Sequence, residues 1–273
     1  MRPHDAIDGW NDDVNARLYA EFCRDYPLYS QTSRDLIVRA DLNGKRVVVD
    51  LCGGTGVTAA ILLDTMTSQA RVISVDSAEA MQRAGRRTVT DPRVTWVTAK
   101  AEAVADHIDE PVDAVICNSA IWKTDTPATF AAVKRILRPG GRLVFNVGGG
   151  FAGLADPGGS PHRAKPTLND LINAIAVLDY GYAPQKQASA PILTPAVLSE
   201  QLTEAGFTAI TSEVLAYQGT LEEKRAWLSI PLFARPPGQL THRQRMEILD
   251  KAFARMDKSQ ALVTQWLVIV AEA

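Results

Sequence analysis

The sequence predicts an α/β fold of the doubly wound class, with a largely parallel sheet and helices on both faces. Short β-branched runs alternate with helical stretches along the first half of the chain, and one run leads through a glycine-rich turn into a helix. Such alternation is typical of βαβ units, because parallel strands need a long crossover connection between them. The strands predicted in this half cover residues 46–50, 71–75, 93–98, 112–117 and 142–147.

Helices are predicted ahead of the first strand. Val14, Leu18 and Phe22 recur every four residues, which places them on one face of a helix. A second helix is expected over 30–40, and the Asn-Gly pair that follows it is a stop signal. Residues 1–44 are therefore expected to form a helical cap.

Several helix starts are marked by threonine. Thr126 and Thr194 each precede a proline, which predicts an N-cap followed by proline in the first turn. Thr220 and Thr241 are each followed three residues later by Glu or Gln, the spacing of a capping box. The Arg-Pro-Gly-Gly run at 138–141 predicts a turn into the fifth strand.

Regular alternation stops after the fifth strand. Residues 148–166 are rich in Gly and Pro, and a helix is expected over 168–178. The alternation returns with a helix at 195–205 and strands near 207–217 and at 265–270.

Composition excludes several classes of protein. The 273 residues include 29 Lys and Arg against 31 Asp and Glu, a net charge of −2, so the broad basic surface of a nucleic-acid-binding protein is not expected. No apolar run approaches the ~20 residues of a membrane span, and the first residues lack the apolar stretch of a signal peptide. Three cysteines cannot all pair, which favours a reducing, cytoplasmic location.

The glycine-rich turn indicates a nucleoside-containing cofactor. Gly54 and Gly56 lie between a strand and a helix, where the backbone can approach a ligand at the positive helix end. Asp76 ends the second strand about 20 residues further on, a position from which a carboxylate accepts hydrogen bonds from ribose hydroxyls. The segment also fits the G-x-G-x-x-A pattern of dinucleotide enzymes. Asp50, just before the loop, argues against a pyrophosphate and for a ligand with an ammonium group.

Five consecutive segments resemble the ordered motifs of the class I S-adenosylmethionine-dependent methyltransferases, in particular the small-molecule branch that includes ubiquinone/menaquinone-type and natural-product enzymes. They are VVVDLCGGTGVTA, VISVDSAEAM, AKAEAVA, VDAVICNSAIW and LRPGGRLVFNV, within residues 45–147. TPAVLSEQLTEAGF and TQWLVIVAEA resemble the last helix and final antiparallel strands of the family. The resemblance implies a Rossmann-like methyltransferase sheet of seven strands, with an antiparallel last hairpin and helical lid insertions.

The resemblance also implies which residues bind the cofactor S-adenosyl-L-methionine and its product S-adenosyl-L-homocysteine. Those expected at the methionine end, the ribose, the adenine and the pocket wall are Asp50, Cys52, Gly53, Gly54, Gly56, Asp76, Ser77, Met81, Ala101, Glu102, Asn118 and Ser119. Two positions depart from the family pattern. Cys52 replaces the first glycine of G-x-G-x-G, and Lys100 replaces an aspartate that often precedes the Ala-Glu pair.

Tyr29, Trp122 and His162 are the candidate catalytic residues. An aromatic face stabilises a nearby sulfonium by ~0.5–2 kcal/mol, and Trp122 follows the carboxyl end of the fourth strand, where ligands bind in such sheets. Packing against the sheet explains Trp122 and Tyr29 about equally well. His162 lies with Arg163 and Lys165 in the Gly- and Pro-rich segment 148–166. This segment would shield the substrate, although a solvated charged loop is the commoner situation. No metal site is expected.

The function expected is methyl transfer to a small metabolite, at oxygen or carbon and in secondary metabolism. The alternatives are a non-methylating enzyme such as a cyclase on the same scaffold, an NAD(P)-dependent oxidoreductase, and a non-catalytic interaction protein. A small-molecule substrate is the expected partner, without nucleic acid or membrane span, and a homodimer is left open. The expected single domain, 1–273, has a core formed by 45–150, 195–217 and 260–273, the cap 1–44, and lid insertions 151–194 and 218–259.

Overall fold

The structure is a computed structural model that describes residues 9–155, 166–184, 191–257 and 262–273. The helices of this part of the chain are α1 (Asp13–Asp25), α2 (Leu28–Ala40), α3 (Val57–Thr65), α4 (Glu79–Thr88), α5 (Thr126–Ile136), α6 (Leu168–Tyr180), α7 (Pro195–Glu204), α8 (Leu221–Ser229) and α9 (His242–Phe253). The strands are β1 (Val47–Leu51), β2 (Arg71–Asp76), β3 (Val94–Thr98), β4 (Val112–Cys117), β5 (Leu137–Gly148), β6 (Thr208–Gly219) and β7 (Leu262–Glu272). Short 3₁₀ helices cover Ala101–Asp106 and Ile121–Lys123.

The described strands form one seven-stranded sheet in the order β3-β2-β1-β4-β5-β7-β6. Neighbours from β3 to β5 run parallel, and β7 is antiparallel to both β5 and β6. The predicted fold class is confirmed, including the antiparallel last hairpin. Since the chain order reverses direction at β1 and β4, the carboxyl ends of these two strands flank a crevice, which is where open α/β sheets bind ligands.

Helices bury both faces of the parallel strands. Every residue of β1 and of β4 is buried, as expected when crossover helices cover both sides of a sheet. Alternate residues of these strands enter two different apolar clusters. Val49 and Val115 pack on the side that also holds Phe130 of α5, whereas Val48 and Ala114 pack with Leu36 of α2.

Three of the four threonines predicted to start helices are N-caps, and Thr126 is the correction. Thr194 and Thr241 are N-caps, the latter in a reciprocal capping box. The N-cap of α5 is Asp125, whose side chain accepts from the Ala128 N–H at 3.2 Å. Thr126 is instead the first residue of that helix; its buried hydroxyl donates to the Gln201 side chain at 2.7 Å.

The capping box predicted at Thr220 is only half formed. The Thr220 side chain caps α8 as predicted, by accepting from the Glu223 N–H at 3.1 Å. The Glu223 carboxylate turns inward and accepts hydrogen bonds from the Tyr217 hydroxyl at 3.0 Å and from the Leu28 N–H at 3.2 Å. The Glu223 carboxylate thus bonds to β6 and α2 and does not complete the capping box with the Thr220 backbone.

The predicted turn at 138–141 lies within strand β5, which begins at Leu137 rather than at 142. Pairing with β4 passes from Val112–Leu137 directly to Ala114–Arg142, so the Pro-Gly-Gly segment is an irregularity inside the strand. Gly140 has a φ of +74° and donates its N–H to the Ala273 carbonyl at 3.0 Å. This contact holds Ala273 against the irregular segment of β5.

Helices α6, α8 and α9 form an apolar cluster distinct from the two clusters on the faces of the sheet. Its buried members include Ile172, Leu228 and Ile248, one from each helix. This arrangement agrees with helical additions to one core, although the boundaries of the cap, core and lid stay a prediction. Within the described ranges, none of the helices combines the length and apolarity needed to cross a bilayer.

Candidate active site

The loop after β1 places a tight turn at the start of α3. Its backbone has positive φ at Cys52 (+55°), Gly54 (+54°) and Gly56 (+79°), and Gly56 donates its N–H to the Gly53 carbonyl at 2.8 Å. A positive φ is free of steric strain only for glycine, which explains the residue type at two of the three positions. Cys52 adopts this conformation with a side chain, at the place where the family pattern has glycine.

Gly53 is required for a different reason, close packing. A Cβ built at this position would lie 2.4 Å from Ser74 Oγ and 2.5 Å from Asp50 Oδ2. The loop therefore rests directly on the polar side chains of β1 and β2. Its Gly53 N–H also donates to the Val75 carbonyl at 3.0 Å, which joins the loop to β2.

Asp50 is a buried carboxylate beneath the loop, 1% exposed. Its Oδ2 accepts from the Ala59 N–H in the first turn of α3 at 3.2 Å, while Oδ1 has no hydrogen-bond partner among the described residues. Burial, together with the charge of Asp76, raises the pKa of Asp50 to about 8. A buried polar atom without a hydrogen-bond partner destabilises the folded state. A cationic ligand group that binds this oxygen would offset that cost.

Asp76 is positioned at the end of β2 by two backbone donors. Its Oδ2 accepts from the Gly54 N–H and its Oδ1 from the Ala78 N–H, both at 2.8 Å. Burial raises the pKa of Asp76, and these two N–H groups and the Lys123 ammonium act in the opposite direction. Each carboxylate oxygen keeps acceptor capacity for a ligand hydroxyl.

The residues expected around the adenine are only partly gathered. Met81 is 2% exposed and lies under the loop, its Cε 3.4 Å from a Cβ built on Gly54. Ser77 is exposed and Ala101 is buried at the start of a 3₁₀ helix. Glu102 accepts a hydrogen bond from the Asp125 N–H at 2.7 Å, so its side chain supports the start of α5.

Asn118 and Ser119 connect the end of β4 to α2 and β5. The Asn118 amide donates to Ser33 Oγ at 2.8 Å and to the Tyr29 carbonyl at 3.1 Å. Its oxygen accepts from the Asn146 side chain at 2.9 Å, and the Asn146 oxygen accepts from the Ser119 N–H at 2.6 Å. These bonds fix the wall of the crevice with fully paired polar groups, which makes it rigid.

The candidate catalytic residues occupy different surroundings. Tyr29 is 8% exposed and its hydroxyl accepts from Trp227 Nε1 at 3.1 Å; burial raises the pKa of Tyr29 to about 12, so it is a neutral phenol at physiological pH. Trp122 stacks on Phe151 with ring centroids 4.8 Å apart. His162 lies outside the described residues.

Cys52, in the loop after β1, interacts with Cys117 at the end of β4. A hydrogen bond between the two thiols and then burial raise the pKa of Cys52 well above its usual value. Both are free cysteines. A thiol held neutral is a poor nucleophile, which agrees with a packing role.

Lys123 is a site residue that the sequence analysis missed. Its Nζ lies 4.0 Å from the ring centroid of Trp10 and 5.8 Å from that of Trp122. Lys123 is exposed; partial desolvation of its ammonium lowers the pKa of Lys123, and nearby Cys52, Asp76 and Cys117 oppose this effect. The available signal was its position directly after Trp122 at the carboxyl end of β4.

An aromatic cluster joins α1, α2 and α8 with Trp10, which precedes α1, and Phe233, which follows α8. Trp10 contacts Tyr19 and Phe233 with centroid distances of 5.4 Å in each case, and Trp227 stacks on Phe233 at 4.0 Å. Tyr19 also lies 5.3 Å from Tyr29. Residues 10–29 and residues 227–233 therefore share one apolar surface.

Comparison with known families gives one domain match. Residues 48–141 match the family model described as a methyltransferase domain. The matched segment contains the glycine-rich loop, the β2 carboxylate and the end of β4. This match supports the resemblance to class I S-adenosylmethionine-dependent methyltransferases over residues 48–141.

Curated methyltransferases are similar to part of the chain. The chain is similar to trans-aconitate 2-methyltransferase of Azoarcus sp. strain BH72, at 35% identity over 119 residues, covering 43% of this chain and 45% of that enzyme. It is also similar to the ubiquinone/menaquinone biosynthesis C-methyltransferase UbiE of Yersinia pestis strain Pestoides F, at 34% identity over 106 residues, covering 37% of this chain and 41% of the relative. The match thus spans less than half the length of either relative.

A solved structure extends the likeness to nearly the whole fold. Geranyl diphosphate methyltransferase in complex with S-adenosylmethionine aligns with a TM-score of 0.51 and 18% identity, over 94% of this chain and 89% of that one. At this identity the likeness shows the fold alone.

Proposed function

We propose that this protein is an S-adenosylmethionine-dependent methyltransferase that acts on a small metabolite. The observation that carries the proposal is the joint placement of the glycine-rich loop, Asp76 and the N-terminus of α3 at one edge of the sheet. The Gly54 N–H to Asp76 hydrogen bond of 2.8 Å shows how tightly this edge is assembled. The family match over 48–141 supports the same conclusion.

The residues present fit the chemistry of this cofactor. Asp50, with its unpartnered buried oxygen, would neutralise the methionine ammonium, and the N-terminus of α3 suits the carboxylate. Asp76 would accept hydrogen bonds from the ribose hydroxyls. Met81 and Ala101 offer apolar surface for the adenine. Cys52, Gly53, Gly56, Ser77, Glu102, Asn118 and Ser119 remain proposed members of the same site.

The cofactor supplies an activated methyl group, so the chain mainly has to bind, orient and exclude water. The aromatic cluster of Trp10, Tyr19, Tyr29, Trp227 and Phe233 supplies the cover that excludes water. Its Tyr29–Trp227 hydrogen bond of 3.1 Å joins the lid helix α8 to α2. A neutral Tyr29 hydroxyl can position an acceptor but not deprotonate it.

The acceptor atom is proposed to be oxygen or carbon, in a pathway of secondary metabolism. The chain has no Asn/Asp-Pro-Pro-aromatic motif of the kind many amino-methylating enzymes carry. The named relatives, a trans-aconitate and a ubiquinone/menaquinone methyltransferase, are small-molecule enzymes by name. Trp122 and His162 remain proposed substrate-facing residues, and a cytoplasmic location remains a prediction.

Calorimetry and product analysis test this function. We expect S-adenosylmethionine and S-adenosylhomocysteine to bind by isothermal titration, and NADH not to bind. Incubation with labelled S-adenosylmethionine and fractionated metabolite extracts should then yield a methylated product and an equal amount of S-adenosylhomocysteine. Binding without S-adenosylhomocysteine formation would favour the cyclase alternative, and binding of NADH alone would overturn the proposal.

A further inference from the structure

Lys224 of α8 is a half-buried cation without an acidic partner. Its Nζ lies 4.4 Å from the ring centroid of Trp227, and no ion pair joins it to a carboxylate within 4.0 Å in the part of the chain that the structure describes. Its neighbour Glu223 turns inward and accepts hydrogen bonds from the Tyr217 hydroxyl and the Leu28 N–H. Lysine is seldom buried unless its charge is paired. A bound anion would therefore stabilise this charge.

The surface around this ammonium is aromatic and positively charged. Trp227 stacks on Phe233 with ring centroids 4.0 Å apart, and both residues are half-buried. Burial, and then the charge of Arg235, lower the pKa of Lys224. One ammonium matches the single charge of a carboxylate better than the charge of about −1.5 to −2 on a phosphate. A carboxylate on an apolar skeleton therefore suits the surface, because the charge pairs with Lys224 while the skeleton covers the rings.

Printed contacts of the aromatic residues place this surface beside the proposed cofactor site. Trp227 and Phe233 belong to one apolar cluster with Val57, the first residue of α3 after the glycine-rich loop. Trp227 Nε1 donates to the Tyr29 hydroxyl at 3.1 Å. The Tyr29 carbonyl in turn accepts from the Asn118 amide, at the end of β4, at 3.1 Å. The surface thus adjoins both strand ends, β1 through the loop and β4 through Tyr29, that flank the crevice.

We propose that Lys224 binds a carboxylate of the methyl acceptor, so that the substrates of this protein are small organic acids with an apolar skeleton. This inference rests on the proposed function and names its substrate class. The carboxylate pairs with the Lys224 ammonium, and the skeleton lies on Trp227 and Phe233. Lys224 is thus a specificity-determining residue, which binds the acid and takes no part in methyl transfer itself.

Anion-exchange fractionation of metabolite extracts tests the substrate class. With labelled S-adenosylmethionine, we expect methylated product from the retained, acidic fraction and none from the unretained, neutral and basic one. Treatment of the retained fraction with phosphatase should not remove the acceptor. An acceptor found in the unretained fraction, or one that phosphatase destroys, would overturn the inference and leave the proposed function intact. Product from neither fraction would also overturn it, and a failure to bind S-adenosylhomocysteine by calorimetry would refute the proposed function as well.

Kinetics with the acceptor purified from the retained fraction test Lys224 itself. Lys224→Met, which keeps the length of the side chain and removes its charge, should raise the KM of the acceptor about tenfold, the effect of one charge-assisted contact. We expect kcat to stay within about twofold and S-adenosylhomocysteine affinity to be unchanged, since Lys224 binds only the acid. Lys224→Arg should restore most of the loss. Lys251→Met is the matched control, because Lys251 lies 5.0 Å from the ring centroid of Tyr180 but already has a carboxylate partner, Asp179, at 2.7 Å.

Salt provides a second measurement on the unmodified protein. The KM of the acceptor should rise severalfold between about 0.05 M and about 0.5 M salt, because ions screen a partly exposed charge pair, and Lys224→Met should lack this dependence. An equal KM in the unmodified protein and Lys224→Met, or an equal rise in Lys251→Met, would overturn the inference. If Lys224→Met does not fold, a KM of the unmodified protein that is independent of salt would overturn it instead.

Discussion

The carboxyl edge of the sheet and the proposed lid differ in the sequence separation of the residues that form their internal contacts. At the edge, Gly54 donates to Asp76, 22 residues away, across adjacent parallel strands. At the lid, Trp227 donates to Tyr29 and Glu223 accepts from Leu28, pairs separated by 198 and 195 residues. The Gly54–Asp76 contact thus joins two consecutive motifs, whereas the contacts of Trp227 and Glu223 join α8 to α2, far away in the sequence.

This difference separates two functions. The glycine-rich loop and Asp76, fixed by neighbouring motifs, face the proposed cofactor, and the aromatic residues of the proposed lid, joined by long-range contacts, are proposed to cover it. Substitutions at the edge should therefore change cofactor affinity, while substitutions in the lid should change the opening of the lid and leave cofactor affinity nearly constant.

Asp76→Ala should have the largest effect on affinity. The variant loses the carboxylate that holds Gly54 and the proposed ribose contacts. We expect S-adenosylhomocysteine to bind ~100-fold more weakly, about 2.7 kcal/mol, which is the size of two hydrogen bonds to a charged group. Asp106→Ala is the control, since Asp106 is exposed and its ion pair with Arg135 is 3.7 Å long. Unchanged affinity in a folded Asp76→Ala protein would remove Asp76 from the site.

Gly53→Ala should destabilise the edge itself. The added methyl would meet Ser74 Oγ at 2.4 Å and Asp50 Oδ2 at 2.5 Å, and these buried side chains have little room to move. We expect a loss of ~2 kcal/mol in the free energy of unfolding, measured with urea. Gly150→Ala, at a position with nothing within 4 Å of the new methyl, should be nearly neutral. Equal stability of the two variants would show that the loop is not tightly packed.

The range of these contacts also explains which features were predictable. Asp50 and Asp76 were found because a motif places each at the end of a strand, and the strands themselves have buried β-branched residues. Lys123 was missed because its role comes from Trp10, on the segment before α1. The inward turn of Glu223 was missed for the same reason: its partners, Tyr217 and Leu28, lie on β6 and α2, and a capping-box pattern contains no information about them.

Tyr29→Phe should loosen the lid with little effect on the edge. The Trp227 indole N–H loses its acceptor, which should cost ~1 kcal/mol and speed hydrogen exchange in α8 about fivefold. Tyr26→Phe is the control, because Tyr26 stacks on Phe22 at 5.2 Å on the same surface and is not the acceptor of Trp227. A tenfold or greater loss of S-adenosylhomocysteine affinity in Tyr29→Phe would mean that lid and edge are coupled.

The smallest effect is expected at the one capping box of the lid that forms as predicted. Gln244 accepts from the Thr241 N–H at 2.9 Å at the exposed start of α9, so Gln244→Ala should cost only ~0.5 kcal/mol. Glu223 has the same sequence position relative to Thr220, but its carboxylate binds Tyr217 and Leu28. Glu223→Ala should therefore cost more, by leaving buried donors unpaired. Urea unfolding of both variants measures the difference; equal losses would mean that Glu223 acts only as a local cap, and that the long-range contacts of the lid contribute little to its stability.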